Sequence, residues 1–375
     1  MTCMPNSPRI LHVVWNLIRG GTEGQCARVA LGLGTQGVLA RVAVSRWEGF
    51  FLDAVEQACG PVYHMDIHRR YGWHTWRELR RLVAFLRAER FDALHAWDAD
   101  AAIFGSIAAQ RAGVPLITSR RDLGEIYASR KLRRMEQADG QAVAVVVNAD
   151  AIGARVRAQG VAADRVHLIP NILDVDEFDR LAARPFAQEN RLGPGRWIGH
   201  VARLDPEKDV ATLLRAAARV VAEVPAARFV LAGDGVERAR LEALAAELHL
   251  GQHVVFLGDV TEVPALLRRM ELAVLCPRAN EGLSNSILEY QAAGLPVVAT
   301  DCGGNRELVR EGVSGHVVAV GDHDELAERL IGLLLDTDRT RAMGQSGRQQ
   351  VEQHHRPEAV CRQFADLYHR VLGRP

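Results

Sequence analysis

The ten residues "NEGLSNSILE", 280 to 289, place two carboxylates, Glu281 and Glu289, eight positions apart around a glycine and two serines, just before the apolar run "YQAAGLPVVAT". On one continuous helix that spacing would separate them by about 12 Å along the axis and roughly 80° around it, too far for one metal ion and poorly matched to a tight acid/base pair. The alternative leaves Glu281 in a loop, makes Ser284 or Ser286 a helix cap, and puts Glu289 in the first turns of that helix. The carboxylates then bracket a helix N-terminus, whose N–H groups and partial positive charge suit a phosphate.

A second pair of residues points to the same chemistry. In "HVARLDPEKDVATLLRAAARV", Arg203 and Lys208 follow a strand-like run and precede a helix, where two cations five positions apart can grip a diphosphate from two directions. Near the start, "WNLIRGGTEGQCARVALGL" sets Gly20 and Gly21 between a strand and a helix, a place where glycine permits positive φ and close backbone approach to a ligand phosphate. "GLGTQG" spells a dinucleotide fingerprint at Gly32, Gly34 and Gly37, but it follows a helix and precedes a strand, the reverse of the required order, so these glycines read as a helix end and turn. The D-x-D strings at Asp98–Asp100 and Asp174–Asp176 lie beside helix starts and read as caps rather than metal ligands.

Two further candidates lie in the first half. His95 ends "DALHAW", where a strand's C-terminal end can present a side chain to a substrate, with a core histidine as the competing reading. Arg120 and Arg121 load the exit of "VPLITS" and suggest an anionic acceptor group, against a plain salt bridge to Asp122 or Glu125. "YGWHTWRELRRLVAFLRAERF" reads as an amphipathic helix with Trp76, Leu79, Leu82, Val83 and Leu86 on its apolar face, and its arginines leave peripheral contact with an anionic membrane open.

The elements that must carry these residues are visible as rhythm. Short β-branched runs alternate with amphipathic segments, the pattern of parallel α/β units. "ILHVVW", "ARVAV", "PVYHMDI", "DALHAW", "VPLITS" and "AVAVVVN" form a first series; "WIGHVA", "ARFVLAGD", "HVVFLG", "LAVLCP", "PVVAT" and "GHVVAV" form a second. The polar stretch from about 172 to 195 between them is the candidate linker. The chain thus divides into a domain over 1–172 and a second over 195–356, with the closing helix of 357–375 returning to the first. Ligands are expected at strand C-terminal ends facing a cleft.

Composition bounds the alternatives. The 375 residues suffice for about two domains. Forty-six basic residues balance 46 acidic ones, so no net charge argues for nucleic acid. Six scattered cysteines, Cys3, Cys26, Cys59, Cys276, Cys302 and Cys361, form no metal or disulfide pattern, which fits a reduced, cytoplasmic protein. The opening residues lack a basic region followed by a long apolar stretch, and no apolar run approaches the 18 or so residues of a membrane span.

Taken together, "GGTE", "DALHAW…AAQRAGVPLITS", "VHLIPNILDVDEF", "ARLDPEKD…LLRAA", "FVLAGDG", "VVFLGDV…VPALL" and "EGLSNSILEYQAAGLPVVATDCGGNRELV" resemble the retaining glycosyltransferases of family 4 over most of the chain. The resemblance implies the GT-B fold, two Rossmann-like doubly wound parallel-sheet domains, and a UDP- or GDP-sugar held mainly by the second. It implies that Glu281 meets sugar hydroxyls and Glu289 the ribose. Arg203, Lys208 and the backbone of Leu283, Ser284 and Asn285 would meet the diphosphate, Gly21 would close over it, and the base would lie near Gly258 to Val260. It further implies a metal-independent reaction, a glycan or lipid-linked acceptor, and no dedicated protein base, leaving His95 on the acceptor side. Three departures fall in the acceptor half or linker: "SRRD" where relatives often carry a histidine, Trp97 in place of the second histidine of "HxH", and Ile172 in place of the glycine of "PNG". A nucleotide-sugar epimerase of the same fold and a non-catalytic nucleotide-sugar binding module are the competing functions.

Overall fold

The computed structural model describes residues 7–67 and 72–374, and its chain separates into two compact units, one of residues 1–172 with 357–375 and the other of 173–356.

Unit 1 is built on seven strands, β1 (Arg9–Val14), β2 (Leu39–Val44), β3 (Tyr63–His64), β4 (Ala93–Ala96), β5 (Leu116–Arg120), β6 (Ala144–Val147) and β7 (Val166–Leu168). They are ordered β3-β2-β1-β4-β5-β6-β7 and every pairing is parallel. The order reverses between β1 and β4, the switch point at which such sheets open toward a ligand. Ile10, Val14, Val42, Val44, Ile117 and Val146 are fully or nearly buried, as expected of strands covered by helices on both faces. The helix Pro357–Val371 belongs to this unit and places Val360, Cys361, Phe364 and Tyr368 in the same core. Gly32 on the helix Gly21–Leu33 allows that approach, because a Cβ there would collide with Cys361 Sγ.

Unit 2 repeats the plan with six strands, β8 (Arg196–Val201), β9 (Ala227–Ala232), β10 (Val254–Gly258), β11 (Leu272–Leu275), β12 (Val297–Thr300) and β13 (Gly315–Val318). Their order is β10-β9-β8-β11-β12-β13, again parallel throughout. The helix Val210–Glu223 supplies much of its core through Val210, Leu213, Leu214, Ala217 and Val220.

Each strand-like run read from the sequence carries one of these strands. β7 was not among them, since three residues ending in an exposed Leu168 give no periodicity to detect. The stretch 173–194, expected as linker, instead belongs to unit 2. It contains the helix Val175–Ala182, whose Val175, Phe178 and Ala182 are buried and whose Asp174 cap accepts a hydrogen bond from the Glu177 N–H at 2.9 Å. The helix Trp73–Ala88 buries Leu79, Leu82, Val83 and Leu86 as expected, but Trp76 is 51% exposed and lies under the Arg111 guanidinium at 4.3 Å. Among the described residues no helix is long and apolar enough to cross a membrane. Cys26, Cys59, Cys276, Cys302 and Cys361 form no disulfide among the described residues, and Cys3 lies outside them.

Candidate active site

In unit 2 the two glutamates stand where the loop-and-cap reading puts them. Ser284 caps the helix Asn285–Ala292, its Oγ accepting from the Ile287 N–H at 3.4 Å. Ser286 is inside the helix and donates to the Val201 carbonyl at 2.8 Å, tying the helix to the end of β8. Tyr290, fully buried, accepts from the Val201 N–H at 2.6 Å and fixes the same junction from one turn further on. Glu289 is half-buried in that helix, and Glu281 precedes it in a buried loop. Leu283 and Ser284 are buried beside it and Asn285 is half-buried.

The Glu281 loop is held by backbone geometry. Asn280 takes the left-handed conformation at φ 57°. Gly303 is also left-handed, at φ 56°, and a Cβ there would land on the Glu281 carbonyl, so only glycine allows the approach. The neighbouring Gly304 N–H donates to the Gly282 carbonyl at 3.0 Å. "DCGGN" is therefore the strut beneath Glu281, a function that its glycine pair signals in the sequence only as a turn.

Lys208 closes a 3₁₀ turn, Pro206–Lys208, ahead of the helix Val210–Glu223. Its Nζ donates to Glu281 Oε2 at 2.6 Å, with the two side chains only 18% and 10% exposed. The Arg278 N–H donates to the Glu207 carbonyl at 2.8 Å, which fastens the Lys208 turn to the loop that carries Glu281. Arg203 sits on the preceding loop, 69% exposed, and pairs with Asp205 and with Glu207, the latter at 3.1 Å. That loop rests on "AGDG": a Cβ on Gly233 would strike the Ala202 carbonyl and one on Gly235 the Leu204 carbonyl, while the Leu204 N–H donates to Asp234 O at 2.9 Å. Gly258, at φ 73°, ends β10 and accepts from the Gly233 N–H at 2.8 Å, with Val260 half-buried two residues on. Arg203, Lys208, Gly258, Glu281 and the capped helix thus belong to one braced set of loops at the C-terminal ends of β8, β9, β10 and β11. Behind Lys208, His200 is fully buried in β8; its Nδ1 pairs with the Val274 carbonyl at 3.1 Å, and burial pushes its pKa down to about 4.

Unit 1 departs more from expectation. Gly20 caps the helix Gly21–Leu33 at φ −116°, and neither Gly20 nor Gly21 adopts positive φ. The Glu23 carboxylate occupies the space a Cβ at Gly20 would fill. Gly37 ends the following turn in the left-handed conformation at φ 74°, as the rejected fingerprint predicts.

His95 lies in the interior of unit 1. It is fully buried in β4, its Nδ1 2.7 Å from the Tyr368 hydroxyl and its Nε2 2.9 Å from Ser119 Oγ, with the ring stacked on Trp97 at 4.8 Å. The core reading prevails because both ring nitrogens find partners inside unit 1 and burial holds the ring well below its ordinary pKa. Trp97 donates its Nε1–H to His12 Nδ1 at 2.9 Å. Ile172, in place of the glycine of "PNG", is clasped at both backbone groups by Gln25 at 2.7 and 2.9 Å.

The two arginines have separate fates. Arg120 is 2% exposed and pairs with Asp139 at 2.7 Å, a partner well beyond the expected Asp122 or Glu125. Asp139 is oriented in turn by the Thr118 hydroxyl at 2.7 Å. Arg121 pairs with no carboxylate among the described residues. Its Nη1 donates to Asn171 Oδ1 at 2.5 Å, its guanidinium lies over Trp97 at 4.7 Å, and its Nε and Nη2 are buried with no hydrogen-bond partner. Burial lowers its pKa to about 10. Asn148, which shares Asn171 Oδ1 at 3.1 Å, leaves its own Oδ1 unpartnered beside it.

The D-x-D strings act as caps. Asp98 accepts from the Ala101 N–H at 2.8 Å and the Trp15 N–H at 2.7 Å, and Asp100 pairs with Lys131 at 2.8 Å. Among the described residues no three His, Cys, Asp or Glu side chains gather as a metal site.

Comparison with known proteins gives the same division. Residues 19–177 match the model described as Glycosyltransferase Family 4, and residues 185–350 the model described as Glycosyl transferases group 1. The N-acetyl-alpha-D-glucosaminyl L-malate synthase of Bacillus anthracis is 33% identical over 46% of this chain and 45% of its own. The D-inositol 3-phosphate glycosyltransferase of Salinispora tropica is 30% identical over 77% of this chain and 66% of its own. The chain spans about half the length of the first curated relatives it matches, 45% and 43%. Among solved structures, Anabaena HepE in complex with UDP and glucose superposes with a TM-score of 0.82 at 24% identity, over 96% of this chain and 98% of that one. Its two parallel-sheet Rossmann-like domains and these two sequence modules in tandem relate the chain to the GT-B-fold glycosyltransferases of Family 4 and group 1.

Proposed function

We propose that the chain moves a sugar from a UDP- or GDP-sugar to a glycan or lipid-linked acceptor, with retention at the anomeric carbon and without a metal ion. The observation that carries this reading is the braced Lys208–Glu281 pair beside the capped helix Asn285–Ala292 in unit 2. When the sugar leaves, negative charge grows on the diphosphate. A fixed ammonium, the Arg203 guanidinium and a helix N-terminus stabilise that charge where it forms, which is the role a metal would otherwise fill. Glu281 then reads the sugar hydroxyls, Glu289 the ribose, and the Gly258–Val260 turn lies against the base. A thermal-shift screen of UDP- and GDP-sugars tests the donor assignment. A ligand at about 100 times its Kd should add roughly 2.7 kcal/mol of stability. Absence of any stabilisation would refute it, as would an inverted anomeric product for the retaining outcome. Activity lost to a chelator and restored by Mg²⁺ would refute metal independence.

The acceptor carries an anionic group, and Arg121 reads it. Two buried N–H groups without partners favour a ligand that can accept both, and a planar guanidinium meets phosphate or carboxylate with two parallel bonds. The relatives named above are, by their names, an N-acetyl-alpha-D-glucosaminyl L-malate synthase and a D-inositol 3-phosphate glycosyltransferase, and malate and inositol phosphate are both anions. Arg120 takes no direct part in this reading, since Asp139 already neutralises it. Arg121→Gln should raise the acceptor's KM and leave donor affinity unchanged; loss of donor binding, or equal use of a neutral acceptor before and after, would refute the assignment. A lipid-linked acceptor would bring the chain to the cytoplasmic face of a membrane.

A further inference from the structure

The cations proposed to meet phosphate in unit 2 are neutralised from within. Lys208 is bonded to Glu281, and Arg203 to Asp205 and Glu207, so neither cation waits unpaired for a phosphate. The two pairs differ in kind. The Arg203 carboxylates lie beside a side chain that is 69% exposed, so water can replace the guanidinium when it turns away. The Lys208–Glu281 pair is mostly enclosed, and its loops are fastened to each other by the Arg278–Glu207 backbone bond and by the close passage of Gly303 against Glu281. Glu281 therefore cannot swing far from the place Lys208 leaves.

We infer that the Lys208–Glu281 ion pair is an exchange element by which unit 2 favours a sugar nucleotide over the bare nucleoside diphosphate. This inference rests on the reading of unit 2 as the donor site. A diphosphate that draws Lys208 away leaves the Glu281 carboxylate enclosed without its cation and faced by new negative charge. Hydroxyls of the transferred sugar can donate to that carboxylate and replace what the ammonium supplied; a bare nucleoside diphosphate has only its ribose hydroxyls, which this reading gives to Glu289. The sugar nucleotide is thus held with every buried charge satisfied, and the spent diphosphate is not. After transfer the carboxylate competes again for Lys208, which hastens departure of the product.

Calorimetric binding of UDP, GDP, UDP-glucose, UDP-N-acetylglucosamine and GDP-mannose to the full chain tests this. With Glu281→Gln, whichever bare nucleotide the wild type binds should bind about tenfold tighter, the scale of one charge-assisted hydrogen bond no longer broken. The preference for sugar nucleotide over bare nucleotide should fall by at least that factor. The gain must shrink when Lys208→Met is combined with it, because the loss of that cation no longer contributes and only the repulsion between carboxylate and phosphate is left to relieve. Glu281→Ala supplies a second reading should the glutamine variant fold poorly, since it removes the same carboxylate and must give a gain with the same dependence on Lys208. Bare nucleotide bound no tighter by Glu281→Gln, or a gain just as large without Lys208, overturns the exchange while leaving the donor site standing. Failure of the wild type to bind any of the five ligands removes the donor site and the exchange together.

Discussion

Replacing Lys208 and Arg203 one at a time should give unequal losses. Lys208 is 18% exposed, bonded at 2.6 Å, and set on a 3₁₀ turn that a backbone hydrogen bond ties to the Glu281 loop. A charge that is preorganised and shielded from water is worth about 2.7 to 4 kcal/mol to a transition state that develops charge beside it, or roughly 10² to 10³ in turnover. Arg203 is 69% exposed, so water screens its field and its carboxylate contacts add little; Lys208 also leaves a carboxylate, but within an enclosed set of loops where its charge is less screened. Exposed pairs contribute about 0.2 to 1 kcal/mol, which sets the expected loss for Arg203→Ala at roughly tenfold or less. The assay is single-turnover release of nucleoside diphosphate from the donor identified by the binding screen, with urea unfolding in parallel. Lys208→Ala also strands the Glu281 carboxylate, so it should lower stability by about 1 to 3 kcal/mol. Near-normal turnover in Lys208→Ala, or equal losses in the two variants, would refute the argument that preorganisation separates them.

Two further outcomes follow from buried groups outside the donor loops. Tyr368→Phe removes the hydroxyl 2.7 Å from His95 Nδ1 and leaves that nitrogen buried without a partner, which should cost about 1 to 3 kcal/mol in urea unfolding while kcat at a permissive temperature is unchanged. A hundredfold fall in kcat in the folded variant would return His95 to the catalytic machinery. His200 is neutral when folded, its pKa lowered from 6.5 to about 4 by burial. A depressed folded pKa contributes stability that is present above the unfolded value and lost as pH falls through the folded one. Unfolding of unit 2 should therefore become easier between pH 6.5 and about 4, by up to about 1.4 kcal/mol per pH unit from this group alone. A His200→Asn variant with the same acid dependence would show that other groups set it.

What the sequence made legible follows from how local each signal is. Strand-and-helix alternation, the Ser284 cap and the glycines at Gly32, Gly34 and Gly37 depend on residues within a turn or two of one another, and each matches the structure. The fates of His95, Arg120 and Trp76 were decided by partners far along the chain. Tyr368 lies 273 residues from His95, Asp139 lies 19 from Arg120, and Arg111 from a neighbouring helix covers Trp76. No spacing rule announces such a partner, because it depends on which strands are neighbours in the sheet. The braces behind Glu281 and Arg203 were visible only as the glycines of "DCGGN" and "AGDG", whose meaning lies in which carbonyl passes above them.

The same distinction explains why Arg120 and Arg121, adjacent in sequence and identical in chemistry, separate in role. Arg120 is the last residue of β5, and strand alternation sends successive side chains to opposite faces. Its guanidinium goes into the interior toward Asp139, held by Thr118 two residues earlier on the same face of the strand. A buried arginine with a buried carboxylate is a structural pair, and removing either partner would leave an uncompensated charge. Arg121 stands one residue beyond the strand, where the stack on Trp97 and the bond to Asn171 orient it without neutralising it. Its charge is desolvated enough for its pKa to fall to about 10, yet two of its N–H groups remain unmade. A planar cation held in that state gains most from an anion that supplies both missing acceptors at once. Trp97 therefore belongs with Arg121: the indole gives the guanidinium a face to lie on, and the fixed positive charge that results is what an anion would meet.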